Sequence, residues 1–229
     1  MWPFARARAA KFSTMRIRAS SRLLLVGLCL AMVGCGGDSV GELIARLESG
    51  DVAQRRVAAR ALGERADVDD RAVAALTKRV EDSDAEVRHV SIRALGEAGH
   101  AAKSSVSALE ESLNNSDARV RVAAALAIHT IDPANRSFEP VLIGAMRRGD
   151  GRVLLAIGEM GPEGAWAVPT LVELLSHESA KIRSLAARTL GRIGPAAGAA
   201  KSALRRAVDE PNVAVQDAAR DALERIDVQ

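Results

Sequence analysis

One stretch of sequence decides the fold: Asp84-Ala-Glu-Val87-Arg88-His-Val-Ser91-Ile-Arg-Ala94-Leu95-Gly96-Glu-Ala-Gly99. Its apolar and small residues fall at helical spacing on one face, which predicts an amphipathic helix. The aspartate at its start is a favourable N-cap, and the glycines near its end favour helix termination. Alanine and serine at the centre of the face allow a neighbouring helix to approach closely.

The same pattern recurs along the chain at a fixed period. A first apolar column advances by 33, 33, 33, 29 and 33 residues, through Leu43, Leu76, Leu109, Leu142, Leu171 and Leu204. A second column lies nineteen residues after the first, except in the fourth repeat, through Leu62, Leu95, Ile128, Ile157, Leu190 and Leu223. Such periodicity predicts a solenoid in which each unit buries its apolar face against its neighbours.

Each unit is predicted to consist of a helix, a short turn and a second helix. N-capping residues stand eleven positions before the second column in five repeats, at Asp51, Asp84, Asp117, Ser179 and Asn212. The chain has no tyrosine, and beyond residue 12 its aromatic residues are Phe138 and Trp166. We therefore predict an all-α fold, an α-solenoid of about six antiparallel helix pairs over residues 41–229.

These residues resemble the HEAT repeat, in its short form related to phycobilisome lyase repeats. The segment from Asp84 to Gly99 carries the resemblance, and the segment from Ser179 to Gly194 is similar. It extends over about residues 38–229, whereas the signatures of ankyrin and tetratricopeptide repeats are absent. The resemblance implies a superhelix whose second helices line the concave side, where a partner would bind.

The N-terminus has the features of a secretory signal. Six basic residues and no acidic residue occur in residues 1–35, and eleven uncharged residues, 23–33, follow Arg22. That run is too short to cross a bilayer comfortably but fits the hydrophobic region of a signal peptide. We assign residues 1–34 to a signal peptide, with Met15 as a candidate true start.

The boundary Met32-Val33-Gly34-Cys35 resembles a bacterial lipobox, although Met32 stands where leucine is usual. The resemblance implies lipidation of Cys35, with residues 35–40 as the lipidated cysteine and a short spacer. Several acyl chains would anchor the protein stably to a membrane. The expected location is the cell envelope, facing the periplasm, and Gly36 weakly favours the outer membrane. The alternatives are an ordinary signal peptide and an uncleaved anchor.

The charge distribution argues against nucleic acid as a partner. The whole chain has a net charge of +3, but residues 36–229 contain 26 basic and 29 acidic residues. The basic excess thus belongs to the N-terminal signal. No phosphate loop, nucleophile elbow or paired-carboxylate motif occurs, and the four histidines lack metal-ligand spacing. We predict no catalytic residue, metal or cofactor.

The outward positions of the second helices are the candidate binding surface. They are basic in the first repeats, apolar in the third and fourth, and acidic in the last. The candidate partner-binding residues are Arg56, Arg60, His89, Arg93, Val122, Leu126, Leu154, Leu155 and Arg188. Exposed apolar residues often mark interfaces. The alternative is that the shortened fourth repeat repacks locally and buries the apolar ones.

Two further sequence features, a column of arginines and a four-residue deletion, can be explained by structural roles. Arg55, Arg88, Arg121 and Arg183 form one column, which we expect to pair with acidic residues along or between repeats rather than to bind an anion. Arg148-Gly149-Asp150-Gly151 replaces the start of the fourth repeat's second helix. The deletion removes about one helical turn, so we expect a kink or pitch change and a small groove.

The leading functional hypothesis is a lipid-tethered scaffold that binds an envelope-associated protein. The first alternative is a subunit of a lyase-type enzyme related to bilin lyases. A second is a nucleic-acid-binding HEAT-like protein, suggested by Arg56, Arg60 and Arg93 but opposed by the net charge. The repeat pattern alone does not separate these, because one fold supports many functions.

Overall fold

Six helix pairs follow one another in the computed structural model, which describes residues 38–65 and 69–227. The first helices are α1 (Val40–Leu47), α3 (Asp70–Arg79), α5 (Val106–Ser112), α7 (Glu139–Arg147), α9 (Val168–Leu174) and α11 (Lys201–Val208). The second helices are α2 (Val52–Gly63), α4 (Ala85–Ala98), α6 (Ala118–Ile131), α8 (Gly151–Glu159), α10 (Ala180–Ile193) and α12 (Val213–Asp227). Short 3-10 segments precede α5, α9 and α11, and the described residues contain no strand. The all-α solenoid prediction is confirmed.

The predictions for the signal peptide and Cys35 lie outside the described residues. The first helix begins at Val40, one residue before the predicted start of the solenoid. None of the helices in the described part of the chain is both long and apolar enough to span a membrane.

The two apolar columns form the core. All six residues of the first column are at most 2% exposed, and five of the second column are fully buried. Leu223 in the second column, on the last described helix α12, is half-buried. The repeat pattern therefore predicted which side chains pack between helices.

Four of the five predicted helix caps accept a capping hydrogen bond. Carboxylate oxygens of Asp51, Asp84 and Asp117 accept hydrogen bonds from backbone N–H groups of α2, α4 and α6. Asn212 accepts one from the backbone N–H of Val215 at 3.3 Å. Ser179 occupies the N-cap position of α10, but its side chain accepts no capping hydrogen bond.

The arginine column has a structural role, as expected, although only two of its four arginines pair with a carboxylate of the next repeat. Arg88 and Arg121 donate to backbone carbonyls of the preceding turn, at 2.6–3.2 Å. Arg55 adds a bidentate pair with buried Asp82 of the next repeat, at 2.8 and 2.9 Å. Arg183 donates to Glu210 of the next repeat at 2.9 Å. These arginines therefore stabilise turns and two of the contacts between repeats.

The stacking of second helices is interrupted in the middle of the solenoid. Helices α2, α4 and α6 pack on one another in sequence, as do α8, α10 and α12, whereas α6 and α8 have few contacts. Helix α8 has 9 residues, compared with 14 in α4, α6 and α10. The predicted loss of at least one turn is thus observed, and it separates two packed halves.

A tight turn between α7 and α8 explains the shortening. The N–H of Asp150 donates to the carbonyl of Ala145 at 3.1 Å, and that of Gly149 to Met146 at 2.8 Å. Gly149 has φ +74°, so the turn is a Schellman motif with glycine at its left-handed position. Asp150 then caps α8 directly through the N–H of Arg152. Because Asp150 directly follows the turn and caps α8, the first helical turn of the other second helices is absent from α8.

An aromatic contact series connects the two halves. Phe138, fully buried just before α7, lies edge-on to His129 of α6 with ring centroids 5.1 Å apart. Its other edge contact is Trp166, at 5.5 Å, in the 3-10 segment before α9. Nε2 of His129 lies 3.8 Å from a carboxylate oxygen of Glu163. Phe138 therefore packs between the third, fourth and fifth repeats.

Candidate functional site

A groove of about 600 Å³ lies where α6 and α8 separate. We call it the central groove. Its apolar floor is formed by Val122, Ala123, Leu126, Ala127 and Val153. Its charged rim is formed by Arg93, Glu97, Arg119, Arg148, Asp150 and Arg152, and His89 and Thr130 also line it. The groove confirms the expectation that the deletion leaves a small cleft.

Two side chains of the floor are incompletely covered by neighbouring repeats. Val122 and Leu126 are one helical turn apart on α6 and both are half-buried. Ala123, Ala127 and Val153 are buried. Ala127 packs against α4, since a Cβ on Gly96 would lie 3.2 Å from it. Val122 and Leu126 therefore form the part of the floor that is open to a partner.

Three of the rim arginines have acidic partners. Arg93 donates to Glu97 at 2.9 Å, and Arg152 lies 3.5 Å from Asp150. Arg119 donates to Asp117 at 3.1 Å and to Glu86 at 3.4 Å. The hydrogen bond from Arg119 lowers the pKa of Asp117 and, reciprocally, raises the pKa of Arg119. Asp117 and Arg119 therefore both remain ionised at neutral pH.

Arg148 differs from them because no carboxylate of the described residues lies within ion-pair distance of its guanidinium. It is exposed and follows the last residue of α7 at the groove edge. The Arg152 side chain beside it is 82% exposed. The edge formed by these two arginines holds the least compensated positive charge of the groove.

His89 contributes a neutral polar group to the groove. Burial lowers the pKa of His89 below its ordinary value, so its imidazole is neutral at neutral pH. Its Nδ1 is buried and has no hydrogen-bond partner within the described structure. Among the described residues, no group of His, Cys, Asp and Glu side chains could hold a metal ion.

Four of the predicted binding residues come together in the central groove: His89, Arg93, Val122 and Leu126. Leu154 is fully buried, so its prediction as an outward residue is wrong. It occupies the same repeat position as Ile92 and Ala187, which are fully buried too, and its carbonyl accepts a hydrogen bond from the Thr189 hydroxyl. Leu155 is 42% exposed but does not line the groove.

The remaining predicted residues lie elsewhere. Arg56 is engaged by Asp84 in a bidentate pair at 2.6 and 2.9 Å, and Arg60 is exposed on α2. Arg188 lines a separate depression of about 380 Å³ together with Asp217 and Asp221. These arginines do not form one surface with the central groove.

Sequence reasoning missed the contribution of Arg119, Arg148, Arg152 and Val153 to the groove. Arg148 and Arg152 flank the four-residue deletion, so the interrupted repeat period pointed to this position. The sequence alone did not show that these residues line a groove. That depends on α8 starting away from α6, which follows from the turn at Gly149.

The family model for HEAT repeats matches residues 40–129 and 147–224. The chain belongs to the HEAT-repeat family. The two matched ranges are separated by residues 130–146, which contain the end of α6, Phe138 and most of α7. The family pattern is therefore interrupted beside the central groove. Comparison with curated proteins gives no match.

Solved structures support the solenoid fold. The complex of CpcE and CpcF of phycocyanin lyase from Nostoc sp. PCC7120 is similar over 86% of this chain and 80% of that one, at 23% identity and TM-score 0.55. An engineered protein is similar over 82% and 96%, at 24% identity and TM-score 0.54. A designed armadillo repeat protein in complex with peptide (KR)4 is similar over 83% and 100%, at 18% identity and TM-score 0.53.

Proposed function

We propose that this HEAT-repeat protein is a scaffold that binds a segment of another protein in the central groove. The observation that carries the proposal is the half-exposed pair Val122 and Leu126 on the floor of that groove. An apolar floor with a charged rim has the composition of protein interfaces, which have an apolar centre and a polar edge. The designed armadillo protein with its bound peptide is an example of a related solenoid in that role.

We further propose that the protein is a lipoprotein of the cell envelope. The basic N-terminal region, the short uncharged run and the Gly34-Cys35 boundary support lipidation of Cys35. Only residues 36–39 separate this cysteine from α1. A partner at the envelope, associated with the same membrane, is therefore the expected class. Cys35→Ser should move the protein from the membrane fraction to the soluble fraction, and unchanged membrane attachment would contradict the proposal.

Partner capture tests the scaffold role. Cells producing the tagged protein are crosslinked mildly, their membranes are solubilised, and captured proteins are compared between the original chain and Leu126→Arg. The charge on the floor should abolish capture of the partner while helical circular dichroism remains. Val57→Arg is the matched control, because Val57 is 60% exposed on α2 outside the groove. Equal capture by both variants would contradict the proposal.

A second candidate function is a subunit of a lyase-type enzyme. The similarity to the phycocyanin lyase complex, which extends over most of both chains, favours it. Addition of a free bilin to the purified chain is the test. A stoichiometric change in the visible absorbance of the bilin, lost in Leu126→Arg, would favour this candidate over a scaffold. Unchanged absorbance would count against it.

A further inference from the structure

We infer that the central groove binds a short amphipathic helix of the partner, with its apolar side on α6 and a carboxylate toward Arg148 and Arg152. This inference rests on the proposed function and specifies the chemistry of the segment that the scaffold would recognise. It commits to an acidic helix rather than an extended or basic peptide. Three properties of the groove support it: its size, the spacing of its floor residues and the charge of one edge.

The size of the groove matches a short piece of helix. A helix with side chains is about 10 Å wide and rises 5.4 Å per turn, which gives roughly 420 Å³ per turn. The groove volume of about 600 Å³ exceeds that of one turn, so the groove has room for at least one turn of a bound helix. Helix α8 has 9 residues where α4, α6 and α10 have 14. The bound segment would thus occupy the side of α6 that the shortened repeat leaves uncovered.

The floor has the pattern that helices use to pack. Val122 and Leu126 stand one turn apart and form a partly exposed ridge, whereas Ala123 and Ala127 are buried, Ala127 against Gly96 of α4. A partner helix with apolar residues at positions i and i+4 would interdigitate with this ridge. The one-turn spacing of the ridge therefore favours a helix over an extended strand.

The positive charge of the groove edge at Arg148 and Arg152 favours an acidic helix. Arg93 and Arg119 donate to acidic partners within the structure. Arg152 lies 3.5 Å from Asp150 but its side chain is 82% exposed, and Arg148 has no acidic partner among the described residues. A carboxylate on the flank of the bound helix would complete this edge. A lysine at the same place would face two guanidinium groups. Charge complementarity of this kind governs selectivity between partners.

Fluorescein-labelled synthetic peptides test the inference against the full-length chain in detergent. The first peptide is a helical 14-mer with leucines at two positions four apart and glutamates on one flank. The second replaces the glutamates by lysines, and the third replaces the leucines by serines. We expect the glutamate peptide to bind at least about tenfold more tightly than either of the others, measured by fluorescence anisotropy.

A charge reversal in the protein tests whether Arg148 and Arg152 contact the charged flank of the peptide. The double variant Arg148→Glu, Arg152→Glu should lose preference for the glutamate peptide and gain preference for the lysine peptide. Arg60→Glu is the matched control, since Arg60 is an exposed arginine outside the groove and should leave the preference unchanged. Both changes are at exposed positions, and circular dichroism checks that the helices persist.

The possible outcomes separate this inference from the proposed function. Equal affinity for the glutamate and lysine peptides, or no reversal in the double variant, would overturn the acidic-helix inference. Absence of binding by all three peptides up to millimolar concentration would also overturn it. If Leu126→Arg still abolishes capture in cells, the scaffold proposal stands in each of these cases. If Leu126→Arg leaves capture unchanged, the scaffold proposal is wrong as well.

Discussion

Substitution of Phe138 by alanine should uncouple the two halves of the solenoid. Phe138 is fully buried and lies between His129 of the third repeat and Trp166 of the fifth. The second helices α6 and α8 have few contacts across the same junction. The phenyl ring is therefore a principal connection between the halves, and its loss leaves a cavity where the stacking is already weakest.

The expected loss of stability is large. Truncation of a buried phenylalanine to alanine lowers the free energy of unfolding by about 3–5 kcal/mol. Edge-to-face aromatic contacts are worth roughly 0.5–1.5 kcal/mol each beyond the buried area, and Phe138 makes two. Since the measured range already includes such contacts, we expect a loss in its upper half, about 4–5 kcal/mol, for the unit that contains the junction. In a solenoid, where each repeat contacts only its neighbours, such a loss separates the unfolding of adjacent parts.

Two spectroscopic signals distinguish the junction from the whole protein. The chain has two tryptophans, and Trp2 lies in the proposed signal peptide. In the processed protein, or in the unprocessed chain with Trp2→Phe, Trp166 is the only tryptophan and its fluorescence reports on the junction. Circular dichroism at 222 nm reports on all helices. During urea unfolding of the Phe138→Ala variant, the fluorescence midpoint should fall below the circular dichroism midpoint.

Leu62→Ala provides the control, because Leu62 is fully buried in the first repeat, away from Trp166. It should lose about 2–5 kcal/mol and lower the circular dichroism midpoint more than the fluorescence midpoint. Superimposed transitions in Phe138→Ala, with a total loss below about 2 kcal/mol, would refute the reasoning. They would mean that the halves are coupled by contacts other than the phenyl ring.

Three other perturbations have defined outcomes. Gly149→Ala forces alanine to φ +74° and should lower the free energy of unfolding by about 1–2 kcal/mol in urea titrations, whereas Gly144→Ala, inside α7, should raise it by up to about 1 kcal/mol. Asp82→Ala leaves the buried guanidinium of Arg55 without its carboxylate, so it should lower Tm more than the loss of any exposed ion pair does. A Tm decrease no larger than that of an exposed pair would contradict this expectation. Burial lowers the pKa of His129 below its ordinary 6.5, so the unfolded chain binds this proton first, and stability should fall as the pH falls through 6.5 toward the lower folded value. His129→Gln should reduce this pH dependence of the urea midpoint, and an unchanged dependence would contradict the assignment.

The repeat architecture was predictable because its apolar residues recur at a fixed spacing along the chain. A residue such as Leu109 or Leu142 belongs to a column whose members all bury against neighbouring repeats, so one position predicts the others. The same periodicity predicted the N-caps, since Asp51, Asp84 and Asp117 must each satisfy free N–H groups of a following helix. Local sequence and tertiary packing agree in these repeats.

The binding site was predictable only in part, because it depends on where the period fails. Val122 and Leu126 were recognised as apolar residues at outward positions, and they line the groove. Leu155 was placed outward by the same counting and is 42% exposed, although it does not line the groove. Leu154 was added beside it as an exposed residue and is fully buried, because it occupies the repeat position of the buried Ile92 and Ala187. The rest of the groove edge depends on the course of the Schellman turn before α8, which the repeat period does not specify.

The partners of the arginine column show a second limit. Spacing suggested acidic residues along or between repeats, and Arg55 and Arg183 do pair with the next repeat. All four arginines donate to carbonyls of their own turns. The carboxylate that Arg55 and Arg183 add depends on which residue occupies the turn of the following repeat.

Site-specific photo-crosslinking in cells tests the central claim most directly. A photoreactive phenylalanine is introduced at Val122 on the groove floor and, as a control, at Val57 on α2 outside the groove. The account predicts a discrete protein adduct from position 122, lost when Leu126→Arg is added, and none from position 57. An adduct from position 57 with none from position 122 would contradict it.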